Sequence, residues 1–159
     1  MLDVNFEDKL QKVIDQLKTN FQRLNFAYSS IENVLPLNVT SVNELKDGQI
    51  SYIDQYIFRF AKIQDLMGEK LFPLILEALG EDTRRMAFID KLNRLETLGV
   101  INDQDEWLKL RKLRNEVSHE YPVIDNEAVS ALNSLFENKK RITVIFNSCI
   151  NFLRERNLA

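Results

Sequence analysis

Residues 107 to 122 read W-L-K-L-R-K-L-R-N-E-V-S-H-E-Y-P and contain the only histidine of the chain, His119. Apolar residues recur in this stretch at intervals of three and four, which is typical of a helix with one buried face. Pro122 disfavours helical geometry at the residue before it, so we predict that the helix ends near Glu120. On such a helix Asn115 and His119 stack four residues apart, on the side opposite the apolar stripe. The stretch therefore predicts an amphipathic helix with polar groups on its exposed side.

The remainder of the chain shows the same helical periodicity. Residues 4 to 35 and 50 to 79 carry apolar side chains at intervals of three or four, and a shorter third segment ends at Gly99. A last helix begins at Asp125 and continues almost to the C-terminus. No segment has the alternating pattern of a strand. Five helices, three of them long, with mostly short connections predict an all-α antiparallel up-and-down bundle.

Length and composition indicate one domain that spans residues 1–159. Of the 159 residues, 45% are hydrophobic, which is enough for one well-buried core. The chain is too short for two domains that each have a core of their own. The formal net charge is -3, so no global positive field draws the protein to nucleic acid or to anionic membranes. Any binding of RNA must therefore depend on a local basic surface.

Several classes of protein and site are disfavoured by the residues present. The chain has no apolar run of membrane-spanning length, and its N-terminus lacks the pattern of a signal peptide, so we expect a cytoplasmic protein without a membrane segment. The single cysteine, Cys149, cannot form an internal disulfide, and we expect it to be buried rather than reactive. With one histidine and scattered acidic residues, we expect neither a metal site nor another cofactor.

Basic residues cluster on the histidine-containing helix. Lys109, Arg111 and Lys112 precede Arg114, and together they make a local basic face on an otherwise acidic protein. Such a face is a candidate RNA footprint, because phosphate contacts by lysine and arginine dominate affinity for nucleic acid. The alternative interpretation, a solvated helix face without a ligand, fits each of the three residues equally well.

The segment R-N-E-V-S-H-E-Y, residues 114 to 121, resembles the R-N-x-x-x-H-x-Y signature of HEPN domains. Among these it is most similar to the HepT-like toxins of bacterial HEPN and minimal nucleotidyltransferase pairs, the type VII toxin-antitoxin systems. The resemblance implies an antiparallel helical bundle that forms a homodimer, with two motif helices facing each other across a composite cleft. It also implies metal-independent cleavage of RNA and inhibition by a nucleotidyltransferase antitoxin.

The residue types in the motif suit cleavage of RNA without a metal. The reaction needs a base for the 2′-hydroxyl, an acid for the leaving 5′ oxygen and a cation beside the phosphate. Histidine in general titrates near neutrality, so His119 can serve as acid and base, and the guanidinium of Arg114 offers forked donors to the phosphate. Asn115 can orient the imidazole ring or contact the phosphate, although it can equally be a plain surface residue. We therefore predict a catalytic set of Arg114, Asn115 and His119.

Two further residues have more than one interpretation. The resemblance implies that Tyr121 is the site where the partner nucleotidyltransferase attaches AMP, whereas by itself it could be an aromatic residue packed at the rim. Leu108 is predicted to lie on the side of the helix away from the core, where a partner surface could cover it or where it could simply be exposed. For the whole protein, the alternative to a nuclease is a non-catalytic HEPN module that binds nucleotide or substrate for a separately encoded nucleotidyltransferase. A purely structural adaptor would leave the motif unexplained.

Overall fold

The computed structural model of the chain describes residues 3–118 and 125–159. The regular secondary structure in these two ranges is entirely helical, without a β-strand, so the predicted all-α fold is confirmed. The helices are α1 (Val4–Ile31), α2 (Val39–Asn43), α3 (Asp47–Leu66), α4 (Phe72–Ala78), α5 (Phe88–Thr97), α6 (Gln104–Ser118), α7 (Asn126–Glu137) and α8 (Lys139–Glu155). A 3-10 turn, Glu32–Val34, follows α1, and a π-helical segment, Met67–Leu71, joins α3 to α4.

The helices α1 and α3 pack along most of their lengths and run antiparallel. Near the middle of α1, Arg59 donates to the side-chain oxygen of Asn20 at 2.9 Å. Further along α1, the ring of Tyr28 lies 6.2 Å from that of Tyr56, which is earlier in α3. Both helices bury residues at intervals of three and four, as their sequence periodicity predicts. This pair forms one wall of the hydrophobic core against which the motif helix packs.

The motif helix α6 buries its predicted apolar stripe. Trp107, Leu110 and Val117 are each no more than 4% exposed, and Leu113 is partly buried against the core. Asn115 is exposed on another side of the helix. The amphipathic pattern read from the sequence is thus confirmed for the part of the helix that the structure describes. Burial of this stripe fixes the rotation of α6 about its axis, and the rotation decides which polar side chains reach the surface.

The junction between α3 and α4 is adapted to the approach of α6. In the π-helical segment, a side chain at Gly68 would place its Cβ only 3.3 Å from Cζ2 of Trp107. The Trp107 ring also contacts Phe72 in an edge-to-face arrangement, with 4.7 Å between the ring centres. The glycine therefore allows the tryptophan to lie against the backbone. Gly68 and Pro73 predict a local bend of the helix. The structure shows an insertion of the π type, in which Phe72 N–H donates to the carbonyl of Met67.

The last predicted helix begins as expected and then divides. The side chain of Asp125 accepts a hydrogen bond from the N–H of Ala128 at 2.8 Å and caps α7. At Asn138 the chain leaves helical geometry, with ψ of 7°, and α8 begins at the next residue. The side-chain amide of Asn138 donates to the carbonyl of Ser134 at 2.7 Å. Asparagine competes with the backbone for such bonds, so it favours a break that hydrophobic periodicity does not reveal.

The sequence also led to expectations about the single cysteine and about membrane-spanning segments. Cys149 is fully buried, as predicted, and burial raises the pKa of its thiol to about 12, so the thiolate that reactive cysteines need does not form near neutrality. Within the described ranges, no helix combines the length and the apolar character that crossing a membrane requires.

Candidate functional site

The last turns of α6 bring Arg114 and Asn115 into direct contact. Nη1 of Arg114 donates to the side-chain oxygen of Asn115 at 3.1 Å. Arg114 is partly buried, with 28% of its side chain exposed, whereas Asn115 is exposed. The two residues that the sequence places first in the candidate site are therefore adjacent in space as well as in sequence, at the edge of the core.

A residue that the sequence interpretation missed also contacts Arg114. Asp65, in the last turn of α3, forms an ion pair with Nη2 of Arg114 at 3.1 Å, and its side chain is 43% exposed. The two terminal nitrogens of the guanidinium group thus face two different acceptors, one on its own helix and one on α3. Asp65 lies 49 residues before Arg114, and no local motif marks it. Its only sequence signal is a charge next to buried positions in a long apolar helix.

The remaining motif residues are only partly covered by the structure. The helix α6 continues to Ser118, so helical backbone leads directly up to His119. His119 and Tyr121 themselves lie outside the described residues, as does the predicted helix end near Glu120. Their roles as acid and base, and as acceptor of AMP, stay predictions from the sequence.

The three candidate RNA-binding residues have different surroundings. Lys109, Arg111 and Lys112 are all exposed on α6. The guanidinium carbon of Arg111 lies 4.7 Å from the centre of the Phe88 ring, on α5, in a cation-π contact. Arg111 therefore has a packing role between α5 and α6 in addition to its charge. The two lysines keep both interpretations, a footprint for RNA or a solvated face.

Leu108 does not lie where the sequence predicted. It is half-buried and packs against the hydrophobic core instead of facing away from it. The physical reason is that α6 is covered from more than one side, so its buried arc is wider than the stripe from Trp107 to Val117. The predicted position of Leu108, on the side of α6 away from the core, was wrong, and a homodimer gains no support from this residue.

The arrangement can bind and orient an anionic group. A guanidinium at a partly exposed position offers charged donors in a fixed plane, and the Asn115 amide can accept from Arg114 through its oxygen while its nitrogen donates elsewhere. Among the residues in ranges 3–118 and 125–159, no group of three or more histidine, cysteine, aspartate or glutamate side chains is placed to hold a metal ion.

No protein-family model, curated protein or solved structure matches this chain.

Proposed function

We propose that this chain is a metal-independent endoribonuclease of the HepT-like HEPN type, acting as a homodimeric toxin in the cytoplasm. Arg114, Asn115 and His119 are its proposed catalytic residues. The observation that supports the proposal is the placement of Arg114 on α6: it contacts Asn115, and it lies five residues before the only histidine of the chain. The same helix buries its opposite face, while Asn115 is exposed and the side chain of Arg114 is 28% exposed.

The proposed reaction is a transesterification that releases the RNA fragment with the 5′-hydroxyl end. The 2′-oxygen of RNA attacks the adjacent phosphorus, and the 2′-hydroxyl proton passes to an imidazole. The bond between phosphorus and the 5′ oxygen breaks, and that oxygen receives a proton from an imidazolium, which is either the same group in turn or its counterpart in the second subunit. Arg114 stabilises the charge that develops on the phosphate oxygens. The products are a 2′,3′-cyclic phosphate and a 5′-hydroxyl.

RNA binding is proposed to depend on α6 itself, because the net charge of the chain is -3. Lys109 and Lys112 would contact the phosphate backbone, and Arg111 would add its charge next to Phe88. The homodimer rests on the resemblance in sequence, since Leu108 packs against its own core. A minimal nucleotidyltransferase is the proposed antitoxin, and Tyr121 the proposed acceptor of AMP.

We expect the purified wild-type chain to cleave single-stranded RNA in the presence of EDTA. The proposed site contains an acid-base histidine and an arginine and needs no metal, so chelation should leave the rate unchanged. Mass spectrometry of the products should show 2′,3′-cyclic phosphate ends. The His119→Ala variant, purified in the same way, serves as the control for a contaminating nuclease. Its cleavage rate should be about 100- to 10,000-fold lower than that of the wild type. Undiminished cleavage by His119→Ala would refute the proposed mechanism.

Modification by a nucleotidyltransferase should depend on Tyr121. Incubation with a partner enzyme of this class and ATP should add the mass of AMP to the wild type and nothing to Tyr121→Phe. An added AMP would place an anion close in sequence to the catalytic residues, where Arg114 could bind it in place of the RNA phosphate. Tyr121→Phe should keep most of its nuclease activity and resist inhibition. Equal modification of both proteins would assign the acceptor to another residue.

A further inference from the structure

The ion pair between Asp65 and Arg114 joins α3 to the proposed site, and nothing in the motif accounts for it. We propose that Asp65 is a positioning residue, which sets the orientation of the Arg114 guanidinium toward the RNA phosphate. The inference rests on the proposed endoribonuclease function and extends it to a second helix. It assigns Asp65 no contact with substrate.

The position of Asp65 is set by the packing around it. Its neighbours Gln64 and Leu66 are 4% and 5% exposed, so α3 cannot rotate at this point without exposing core. One turn later, Gly68 receives the ring of Trp107, which belongs to α6. The helix α6 thus contacts the π-helical segment that follows α3 at Trp107, and it contacts α3 itself at Arg114, two turns further along α6. A carboxylate held in this way is a fixed reference point for a side chain on the opposite helix.

An arginine needs a fixed hydrogen-bond acceptor of this kind because its side chain is long and has several rotatable bonds. Binding a phosphate through two parallel N–H groups requires a defined guanidinium plane, and each freely rotating bond lowers the population of that plane. Asp65 accepts at one terminal nitrogen and Asn115 at the other, at 3.1 Å each. Acceptors on two helices define the plane better than either acceptor alone. Preorganisation of this kind acts on the rate, because misplacement of a catalytic group by about 1 Å costs as much as 100-fold.

The same carboxylate must also weaken the binding of RNA. Asp65 is negatively charged, as is the phosphate, and it lies beside the Arg114 guanidinium that would bind the phosphate. The Asp65 carboxylate therefore repels the approaching RNA. Neutralising Asp65 should therefore affect substrate binding and catalysis differently. Substrate binding should be unchanged or tighter, whereas the chemical step should be slower. A pair that only stabilises the fold would not separate kcat from KM, and a partly exposed pair contributes little to stability in any case.

The test is steady-state cleavage of one single-stranded RNA by the full chain with Asp65→Asn, which has nearly the same shape and no charge. We expect kcat to fall by about 10- to 100-fold and KM to stay equal or decrease. Asp54→Asn is the matched control, because Asp54 is exposed on the same helix and its replacement removes the same charge. It should keep wild-type kcat. Asp65→Glu restores the charge with a longer side chain and should have a kcat between those of wild type and Asp65→Asn.

The results distinguish a failure of the proposed endoribonuclease function from a failure of the positioning role of Asp65. A wild type that does not cleave RNA overturns the proposed function and this inference with it. An active wild type combined with equal kcat for Asp65→Asn and Asp54→Asn overturns only the role of Asp65. A rise in kcat on neutralisation would identify Asp65 as an inhibitory charge and overturn the role too. If kcat fell in step with melting temperature in both Asp65 variants, the residue would be purely structural, and the positioning role would be refuted.

Discussion

Arg114→Ala should lower the rate of RNA cleavage by about 100- to 1,000-fold, the loss that follows removal of one transition-state donor. The reason is that Arg114 is the cation proposed to lie at the phosphate, where charge develops as the 2′-oxygen attacks. The variant should stay folded, because its ion pair with Asp65 is partly exposed and contributes no more than about 1 kcal/mol to stability. Initial rates on a fluorogenic single-stranded RNA measure the first effect, and circular dichroism measures the second.

Arg141→Ala is the control for this experiment. Arg141 also forms an ion pair, with Glu106 at 3.4 Å, and its side chain is 55% exposed, but it lies on α8 and has no proposed role in cleavage. It should keep the wild-type rate. Arg114→Lys adds a second comparison, because lysine keeps the charge and loses the forked donors. Its rate should lie between those of wild type and Arg114→Ala, and a wild-type rate for Arg114→Ala would remove the arginine from the mechanism.

Trp107→Ala should lower the free energy of unfolding by about 3–5 kcal/mol, the usual range for truncation of a large buried aromatic residue. The Trp107 side chain is 2% exposed and fills the space between Phe72 and the backbone at Gly68. Its removal leaves a cavity where α6 contacts the junction of α3 and α4. Urea denaturation followed by circular dichroism is the measurement, because Trp107 is the only tryptophan and its fluorescence is lost in the variant.

Val144→Ala provides the comparison for this loss of stability. Val144 is an apolar residue on α8 with 51% of its surface exposed, so its truncation should change the free energy of unfolding by less than about 0.5 kcal/mol. A similarly small change for Trp107→Ala would contradict the described contact between α6 and the π-helical segment. The nuclease should also be more sensitive to Trp107→Ala than to Val144→Ala, because Trp107 anchors the helix that carries Arg114.

The sequence by itself determined the helices and which of their faces are buried. Intervals of three and four residues predict the burial of Trp107, Leu110 and Val117 and the exposure of Asn115, because all of them belong to one helix whose geometry is local. The start of α7 at Asp125 is equally local, since a cap involves residues at most three positions apart. The motif from Arg114 to Tyr121 is also a property of the sequence, and it supplied the chemical hypothesis for the whole protein.

The tertiary structure alone decided what surrounds the arginine of the motif. Asp65 contacts Arg114 across 49 residues, and the guanidinium of Arg111, on α6, lies over the ring of Phe88, on α5. Neither contact can be derived from periodicity, because periodicity gives the face of a helix but not the neighbour that the face meets. Leu108 was misplaced for the same reason: the width of a buried arc depends on how many helices pack around it. The helix that carries the site follows from local chain geometry, whereas the orientation of its arginine follows from long-range packing against α3.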